Sequence, residues 1–308
     1  MGFQAPILTH FGNPKQTNCL KSELENSKTK IHLAGLIGSS FAILASAAVR
    51  NCANPNVFIF RDKEEASYFI NDIEALLNND VFFFPASYRR AYKINEDDNI
   101  NILLRAEVLH KLNQKRNPII VTYSEALSEK VISRKEFKRH TITLKKNEHI
   151  LIEELEILLQ KLNFQKVDFV FEAGQYSIRG EIVDIYSYAK ENPYRINFFD
   201  TEIESIRIFN INTQLSISNE EKITVIPNTK ESNILESKIS FLDYLPKSTI
   251  IWIKEINYTK EILTKYFKKA EEEFSKINTK KIQNSNPKDL FTHGEEFIKN
   301  LTNFSIIE

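Results

Sequence analysis

Short, almost entirely apolar runs alternate with helical patterns in the first part of the chain. Three of these runs are IHLAGL at 31–36, NVFIF at 56–60 and VFFFP at 81–85. The segment 62–77 between the last two places its apolar residues on one helical face. Strands that are apolar throughout need cover on both faces, and strands that alternate with helices form parallel sheets. The sequence therefore predicts an α/β domain built on a parallel sheet.

This alternation of strands and helices stops partway along the chain and then resumes. It covers residues 1–125, gives way to a different pattern over 126–215, and resumes over 216–308. We predict that the last part completes the sheet begun by the first, which makes the α/β domain discontinuous and the middle part an insertion. The further elements predicted for the α/β domain are helices at 99–114, near 231–240 and at 259–277, strands at 118–123 and 223–227, and a buried strand within LDYLPKSTIIWIKE.

The middle part reads as a small α+β domain. A strongly amphipathic helix, HILIEELEILLQKLNF, precedes three runs with strand composition, GQYSIRGEIVDIYSY, YRINFFD and EIESIRIFN. Their spacing is that of consecutive antiparallel strands, and Asp200–Thr201 is predicted to be a two-residue turn. The insertion is therefore expected to contain an antiparallel sheet.

Pairing across this turn fixes which side chains share a face, because successive side chains of a strand alternate. One face is apolar and carries Tyr194, Ile196, Phe198 and Ile203. The other face carries Arg195, Asn197, Phe199, Glu202 and Glu204. Phe199 is thus predicted to stand among polar residues.

The segment IHLAGLIGSSFAILASAAVR at 31–50 has the setting of a phosphate-binding loop without its charge. In the G-x-x-x-x-G-K-[ST] pattern the lysine reaches the terminal phosphates and the hydroxyl holds magnesium. Counting from Gly35, Phe41 and Ala42 stand where those residues belong. We expect Gly35 and Gly38 to turn the backbone, Ser39 to cap the following helix, and Phe41 to fill the phosphate space.

Composition sets further limits. Lys+Arg and Asp+Glu are both 41, so no global field attracts the chain to nucleic acid or to a membrane. The two cysteines, Cys19 and Cys52, form no metal-binding spacing and favour a reducing compartment. We see no leader sequence and no run of about eighteen apolar residues, so we expect a cytoplasmic protein. The apolar end NLTNFSIIE suggests a fragment of a longer chain.

The string GQYSIRGEIVDIY, followed by PYRINFFDTEIESIRIF, closely resembles the region of transcription-repair coupling factors (Mfd) that is homologous to the excision-repair helicase UvrB. VFFFPASYRRAY, IIVTYSEAL, LDYLP and the degenerate glycine turn support the resemblance over nearly the whole chain. Two residues depart from the family pattern: Glu181 stands where a second glycine is frequent, and Tyr186 stands where Phe is common.

The resemblance implies a degenerate helicase-like domain, split by an insert that docks onto the damage-recognition ATPase UvrA. It implies a non-catalytic module, with RNA polymerase, DNA, ATP and magnesium handled by other domains of the full-length translocase. The family's partner-binding positions fall on Arg179, Arg195 and Phe199. No catalytic, cofactor or metal-binding residue is predicted, and without the lysine or an acidic magnesium motif we expect no ATP hydrolysis.

Three alternatives stay open. The chain could be a UvrB-like ATP-dependent DNA helicase domain, although that helicase carries an intact GKT loop. It could bind DNA through the basic segment 130–146, whose one aromatic residue, Phe137, makes a poor stacking platform. The site residues could also be purely structural, with the two arginines paired to Glu202 or Glu204 and Phe199 packed under a loop.

Overall fold

The computed structural model describes residues 29–50, 52–87, 99–114, 117–188, 190–227, 238–276 and 286–308. Cys19, residues 88–92 of VFFFPASYRRAY, most of the helix predicted at 231–240 and the end of the helix predicted at 259–277 lie outside these ranges. The described residues fall into two compact units. Unit 1 takes those within Met1–Asp97, Lys111–Val131 and Lys238–Glu308, and unit 2 those within Asp98–His110 and Ile132–Ser237. The domain boundaries at 125 and 215 stay predictions.

The elements of the described ranges are as follows. The strands are β1 (Lys30–Ile31), β2 (Asn56–Phe60), β3 (Val81–Phe84), β4 (Ile119–Tyr123), β5 (Val131–Ile132), β6 (Ile142–Lys145), β7 (Gln165–Lys166), β8 (Gln175–Arg179), β9 (Ile182–Tyr186), β10 (Tyr194–Phe199), β11 (Glu202–Phe209), β12 (Ser216–Glu220), β13 (Lys222–Val225), β14 (Lys238–Ile239), β15 (Ile250–Ile253) and β16 (Ser305–Ile307). The helices are α1 (Ser40–Val49), α2 (Lys63–Leu77), α3 (Asn99–Asn113), α4 (Arg134–Arg139), α5 (Ile152–Lys161), α6 (Phe241–Tyr244), α7 (Ile256–Lys276), α8 (Pro287–Leu290) and α9 (Gly294–Leu301). A 3-10 turn spans Ser124–Ser128.

Unit 1 is built on a parallel sheet of six strands in the order β1-β16-β15-β2-β4-β3. Every residue of β2, β4 and β15 is buried, as expected for the centre of a parallel sheet that is covered on both faces. Helix α2 begins where the Asp62 carboxylate accepts the Glu65 amide and ends at Asn78 in the left-handed conformation. The predicted α/β class is confirmed, and β15 and β16 complete the sheet from the far end of the chain.

The glycine turn between β1 and α1 differs from the prediction in two details. The strand predicted over 31–36 is regular only at Lys30–Ile31, although the Leu33 amide still donates to the Glu308 carbonyl at 2.6 Å. Ser39 occupies the N-cap position of α1, as predicted, but its side chain makes no capping hydrogen bond. The hydroxyl of Ser40, one residue later, accepts the Ile37 amide at 2.8 Å and closes the turn instead.

Unit 2 is built on a second sheet of six strands in the order β12-β11-β10-β9-β8-β7. All of its pairs are antiparallel except β7 with β8. One face of this sheet joins Leu155 and Leu159 of α5 in a buried apolar core. The residues predicted for the apolar face, Tyr194, Ile196, Phe198 and Ile203, are all in that core. The predicted antiparallel sheet and its register are confirmed.

Strand β13 belongs to unit 2, which corrects one sequence interpretation. The run ITVIP was expected to complete the parallel sheet. Its first residues instead form β13, which pairs antiparallel with β6 so that Ile223 lies opposite Leu144. The chain turns back immediately after β12, at Glu220, and both Ile223 and Val225 are buried in the core of unit 2. A short apolar strand has the same hydrophobic pattern in a parallel and in an antiparallel sheet. The pattern of ITVIP alone could therefore not show which unit contains it.

No helix in the described part of the chain is long and apolar enough to cross a membrane. Within the same residues, no group of three or more His, Cys, Asp or Glu side chains could hold a metal ion.

Candidate protein-docking face

The face of the antiparallel sheet that points away from the core of unit 2 carries the three predicted site residues. We call it the outer face, and it comprises Arg179 of β8, Asp184 of β9, Arg195, Asn197 and Phe199 of β10, and Arg207 of β11. Strand alternation places them there, because Val183, Ile185, Ile196 and Phe198 point into the core. The structure therefore brings Arg179, Arg195 and Phe199 onto one surface of one sheet.

Phe199 ends β10 and is 71% exposed. It lies opposite Glu202 across the turn, where Asp200 adopts a positive φ of 56°. A register shift after Asn197 sets Glu204 as an extra residue in β11, the arrangement of a β-bulge. The alternative in which Phe199 packs under a loop is thus wrong. A large aromatic side chain with this exposure, among polar neighbours, is typical of a protein-binding position.

Arg179 and Arg195 both bind the carboxylate of Asp184. Arg179 Nη2 lies 2.5 Å from Asp184 Oδ2. Arg195 forms a bidentate pair, with Nε 2.8 Å from Oδ1 and Nη2 2.9 Å from Oδ2. The Asp184 side chain is only 2% exposed, against 33% for Arg179 and 17% for Arg195. The carboxylate is therefore shielded by the two cations that it binds.

Aromatic rings and one amide hold the two guanidinium groups further. The guanidinium of Arg179 lies 4.7 Å from the ring centre of Phe169, and that of Arg195 lies 4.1 Å from the ring centre of Phe209. Arg195 Nη2 also donates to Gln214 Oε1 at 2.9 Å. The hydrogen bond to Asp184 raises the pKa of Arg195 above its ordinary value, so this cation is permanent.

The alternative that pairs these arginines with Glu202 or Glu204 is wrong, because both reach Asp184 instead. We call the group of Arg179, Asp184 and Arg195 the Asp184 clamp. Sequence reasoning missed Asp184. The available signal was an aspartate in the middle of a strand, a position that Asp normally avoids. Such a residue points to a buried carboxylate that needs a cation.

A groove adjoins Phe199 on the outer face. Its volume is about 760 Å³, and it is lined by Lys146, Asn147, Asn197, Phe199, Glu202, Glu204, Ser205 and Arg207. The β6–α5 loop forms one wall and is tied to the sheet, since the Asn147 amide donates to the Ile203 carbonyl at 2.8 Å. Cations and carboxylates thus line a depression beside an exposed aromatic ring.

The two departures from the family pattern lie close to this face. Glu181 is exposed in the turn between β8 and β9, next to Gly180 with its φ of 61°, and its carbonyl accepts the Phe198 amide at 2.8 Å. The Tyr186 hydroxyl donates to the Glu191 carbonyl, a bond that phenylalanine could not make. Glu181 therefore adds a negative charge at the end of the sheet that carries Phe199.

Two cations of the basic segment 130–146 have carboxylate partners. Lys130 is paired with Glu296 of unit 1 at 3.1 Å, and Arg139 lies 4.0 Å from Glu136 within α4. Phe137, its one aromatic residue, is 3% exposed and cannot stack on a base. This arrangement gives no specific support to nucleic-acid binding.

Comparison with known proteins shows what unit 2 is similar to. The sequence family described as the UvrB interaction domain matches residues 142–230, which include β6, α5 and all strands of the second sheet. The outer face therefore lies within the part of the chain that is similar to the UvrB interaction domain.

Relatives that match a larger share of this chain show the same similarity. The chain is 30% identical to the transcription-repair-coupling factor of Bacillus subtilis over 196 residues, which is 63% of this chain and 17% of the relative. The corresponding factor of Escherichia coli is 26% identical over 63% of this chain and 17% of its own length. That of Borreliella burgdorferi is 29% identical over 68% of this chain and 19% of its own length. The chain is thus homologous to a part of the transcription-repair-coupling factors, as its motifs predicted, and the match spans less than a fifth of the length of these relatives.

Proposed function

We propose that this chain is a recruitment module of a transcription-repair coupling factor, and that unit 2 binds the excision-repair ATPase UvrA. The proposal rests on one observation, namely that the family match and the exposed aromatic residue fall on the same sheet. The match to the UvrB interaction domain covers the same sheet whose outer face presents Phe199 with 71% of its surface exposed. Through this face, UvrA would be brought to stalled RNA polymerase.

The three predicted site residues have different parts in this proposal. Phe199 is the apolar anchor, because it is exposed and already ordered by the turn at its end of the strand. Arg179 and Arg195 are polar anchors that the Asp184 clamp orients in advance. An arginine that is fixed before binding loses less conformational freedom when the partner arrives. The clamp therefore supports affinity without Asp184 touching the partner.

The remaining functions are assigned to the parts of the longer relatives that this chain does not span. We propose that unit 1 is non-catalytic and serves as a scaffold, and that ATP, magnesium, DNA and RNA polymerase are bound elsewhere in a full-length translocase. We also place the protein in the cytoplasm. The aromatic filling beside the glycine turn supports the non-catalytic part, since Phe41 stands within 6.3 Å, centre to centre, of Phe58, Phe60, Phe69 and Trp252.

A binding measurement with purified UvrA tests the proposal. We expect saturable binding of the parent chain, and we expect Phe199→Ala to weaken it by about 2 kcal/mol or more. Ile157→Ala is the matched control, because Ile157 is also an exposed apolar residue of unit 2 but lies on α5, away from the outer face. The control should change the binding free energy by less than about 0.5 kcal/mol.

Arginine variants complete the test. Arg195→Ala should weaken binding, while Arg195→Lys should recover part of the loss because it keeps the charge without the planar fork. A parent chain that is folded by circular dichroism and does not bind UvrA would refute the recruitment function. Full binding by both Phe199→Ala and Arg195→Ala would leave the function intact and remove these residues from the site.

A further inference from the structure

The outer face carries a third arginine, Arg207, which has no ion-pair partner among the described residues of unit 2. Arg207 lies on β11 directly opposite Arg195 of β10. Like charges in opposite positions repel each other, and Asp184 relieves this only for Arg195. In the described part of the chain no carboxylate lies within ion-pair distance of Arg207, and its Nε atom is buried without a hydrogen-bond partner.

A neutral neighbour directs the Arg207 side chain toward the groove beside Phe199. Its Nη2 atom donates to Asn197 Oδ1 at 3.0 Å, and Asn197 stands two residues before Phe199 on the same face of β10. Arg207, Asn197 and Phe199 all line the groove. A cation without a counter-ion and an exposed aromatic ring are therefore neighbours on one surface.

Lys146 adds a second cation at the opposite wall of the groove. Its backbone amide donates to the Glu221 carbonyl at 3.0 Å, which anchors the loop, and its side chain is exposed. Glu202 and Glu204 also line the groove, yet neither forms an ion pair within the described residues. The groove is thus balanced in charge overall, and recognition in it depends on the position of single charges.

We propose that the groove is a second subsite of the docking face, in which Arg207 binds a carboxylate of UvrA while Phe199 contacts an apolar side chain beside it. This inference rests on the proposed function of unit 2. Asn197 takes one donor of the Arg207 guanidinium, and a guanidinium carries further N–H donors that suit a carboxylate. A nucleic-acid backbone fits less well, because Glu202 and Glu204 would repel its successive phosphates. The occupant is therefore an acidic and apolar segment of a protein.

Affinity measurements with UvrA test the subsite, with the complete chain used throughout. Arg207→Ala should raise Kd about tenfold or more, because the partner carboxylate loses its counter-ion at a desolvated contact. Arg207→Lys should fall between this variant and the parent. Arg139→Ala is the matched control, since Arg139 is 74% exposed on α4 of the same unit, and it should leave Kd unchanged.

Two further readouts separate a direct contact from a general loss of structure. Binding by Arg207→Ala should depend less steeply on salt than binding by the parent, since one charge pair is gone. Glu204→Gln should lower Kd about twofold by removing a like charge that faces the incoming carboxylate. A higher Kd for Glu204→Gln would mean that the groove receives a cation and would overturn the proposal.

The outcomes distinguish the subsite from the function on which it rests. If the parent binds UvrA, Phe199→Ala weakens binding and Arg207→Ala does not, UvrA docking stands and the Arg207 subsite is refuted. If the folded parent does not bind UvrA, the recruitment function fails and the subsite fails with it. If the Arg207 and Glu204 variants change the affinity for duplex DNA but not for UvrA, the groove is a nucleic-acid site and the proposal is wrong.

Discussion

The glycine turn of unit 1 and the outer face of unit 2 differ in whether they contain positively charged side chains. At the turn, the place of a phosphate-binding lysine is taken by Phe41, which packs with Phe58, Phe60, Phe69 and Trp252. On the outer face, two arginines are kept half-buried because they share the carboxylate of Asp184. A cation away from water needs a fixed partner or a ligand. The glycine turn has an aromatic ring in place of the cation, whereas the cations of the outer face are paired with the Asp184 carboxylate.

The cavity beside the glycine turn extends this contrast. It measures about 630 Å³, and its charged lining residues are Glu65, Asp72, Lys254 and Glu308. Its one lysine is held by Glu65, with Nζ 2.7 Å from Oε1. Three carboxylates and a neutralised lysine make a poor environment for a polyphosphate. The cavity has the position of a nucleotide site without its electrostatics.

The largest expected effect comes from removing both cations of the Asp184 clamp. Arg179→Ala combined with Arg195→Ala would leave the buried Asp184 carboxylate without a counter-ion, at a cost of about 3 kcal/mol or more in unfolding free energy. Adding Asp184→Asn should recover most of that loss. Denaturant unfolding of unit 2, followed by far-ultraviolet circular dichroism, measures both changes.

The single tryptophan of the chain provides an internal control for this experiment. Trp252 is buried in unit 1, so its fluorescence follows the unfolding of that unit. We expect the fluorescence transition of the double arginine variant to match that of the parent. A loss in circular dichroism that Asp184→Asn does not reverse would show that the clamp is not the source of the instability.

The second prediction concerns the aromatic filling of the glycine turn. Phe41→Ala removes a half-buried ring from a cluster of four others and should destabilise unit 1 by about 2 kcal/mol, less than a fully buried phenylalanine would cost. Trp252 fluorescence measures the change directly, because its ring centre lies 6.1 Å from that of Phe41. A variant as stable as the parent would mean that Phe41 merely covers the cavity and does not support the fold.

A smaller effect is expected from a surface pair near the antiparallel sheet. The hydrogen bond from Lys166, 2.9 Å from Glu156 Oε1, lowers the pKa of Glu156 below its ordinary value of 4.5. Because the folded pKa is the lower one, this contribution is present above the unfolded pKa and is lost as pH falls through the folded pKa. Glu156→Gln should therefore flatten the stability of unit 2 in the acid range, from about pH 5 downward. An unchanged acid profile would show that solvent screens the pair completely.

The smallest expected effect is that of nucleotide on unit 1. Titration with ATP and magnesium should leave Trp252 fluorescence unchanged, because the turn offers neither a lysine nor an acidic magnesium ligand set of the kind that phosphoryl transfer requires. Saturable quenching in the micromolar range would instead support the UvrB-like helicase alternative. Hydrolysis by the isolated chain would refute the non-catalytic proposal outright.

Much of the fold and part of the site could be predicted from local patterns. The burial of β2 and β4, the helix α2 with its acidic first turn, and the alternation along β10 all followed from side-chain periodicity. Ser39 was a reasonable cap by type, yet the turn closes on the Ser40 hydroxyl. Neighbouring hydroxyls have equal chemistry, and only the backbone path decides which of them reaches the amide.

Pairings distant in sequence were beyond prediction for a related reason. The sequence offered Glu202 and Glu204 as partners of Arg195, but Arg195 binds Asp184, which lies eleven residues earlier on a neighbouring strand. Strand β13 was recognisable as a strand, but its place opposite β6 depends on how the chain turns after β12. Such choices are set by the sum of packing over a whole sheet, which a local window does not contain.

The sequence by itself determined three features: the absence of a lysine at the phosphate-binding position, the difference between fully apolar and alternating strands, and the exposure of Phe199. Each of them depends on residue type or on alternation along one strand. Tertiary structure alone decided that Asp184 binds both predicted arginines and that Arg207 has no counter-ion among the residues that the structure describes. A buried charge takes whichever opposite charge the strand register brings within hydrogen-bond distance, and that register is a property of the assembled sheet.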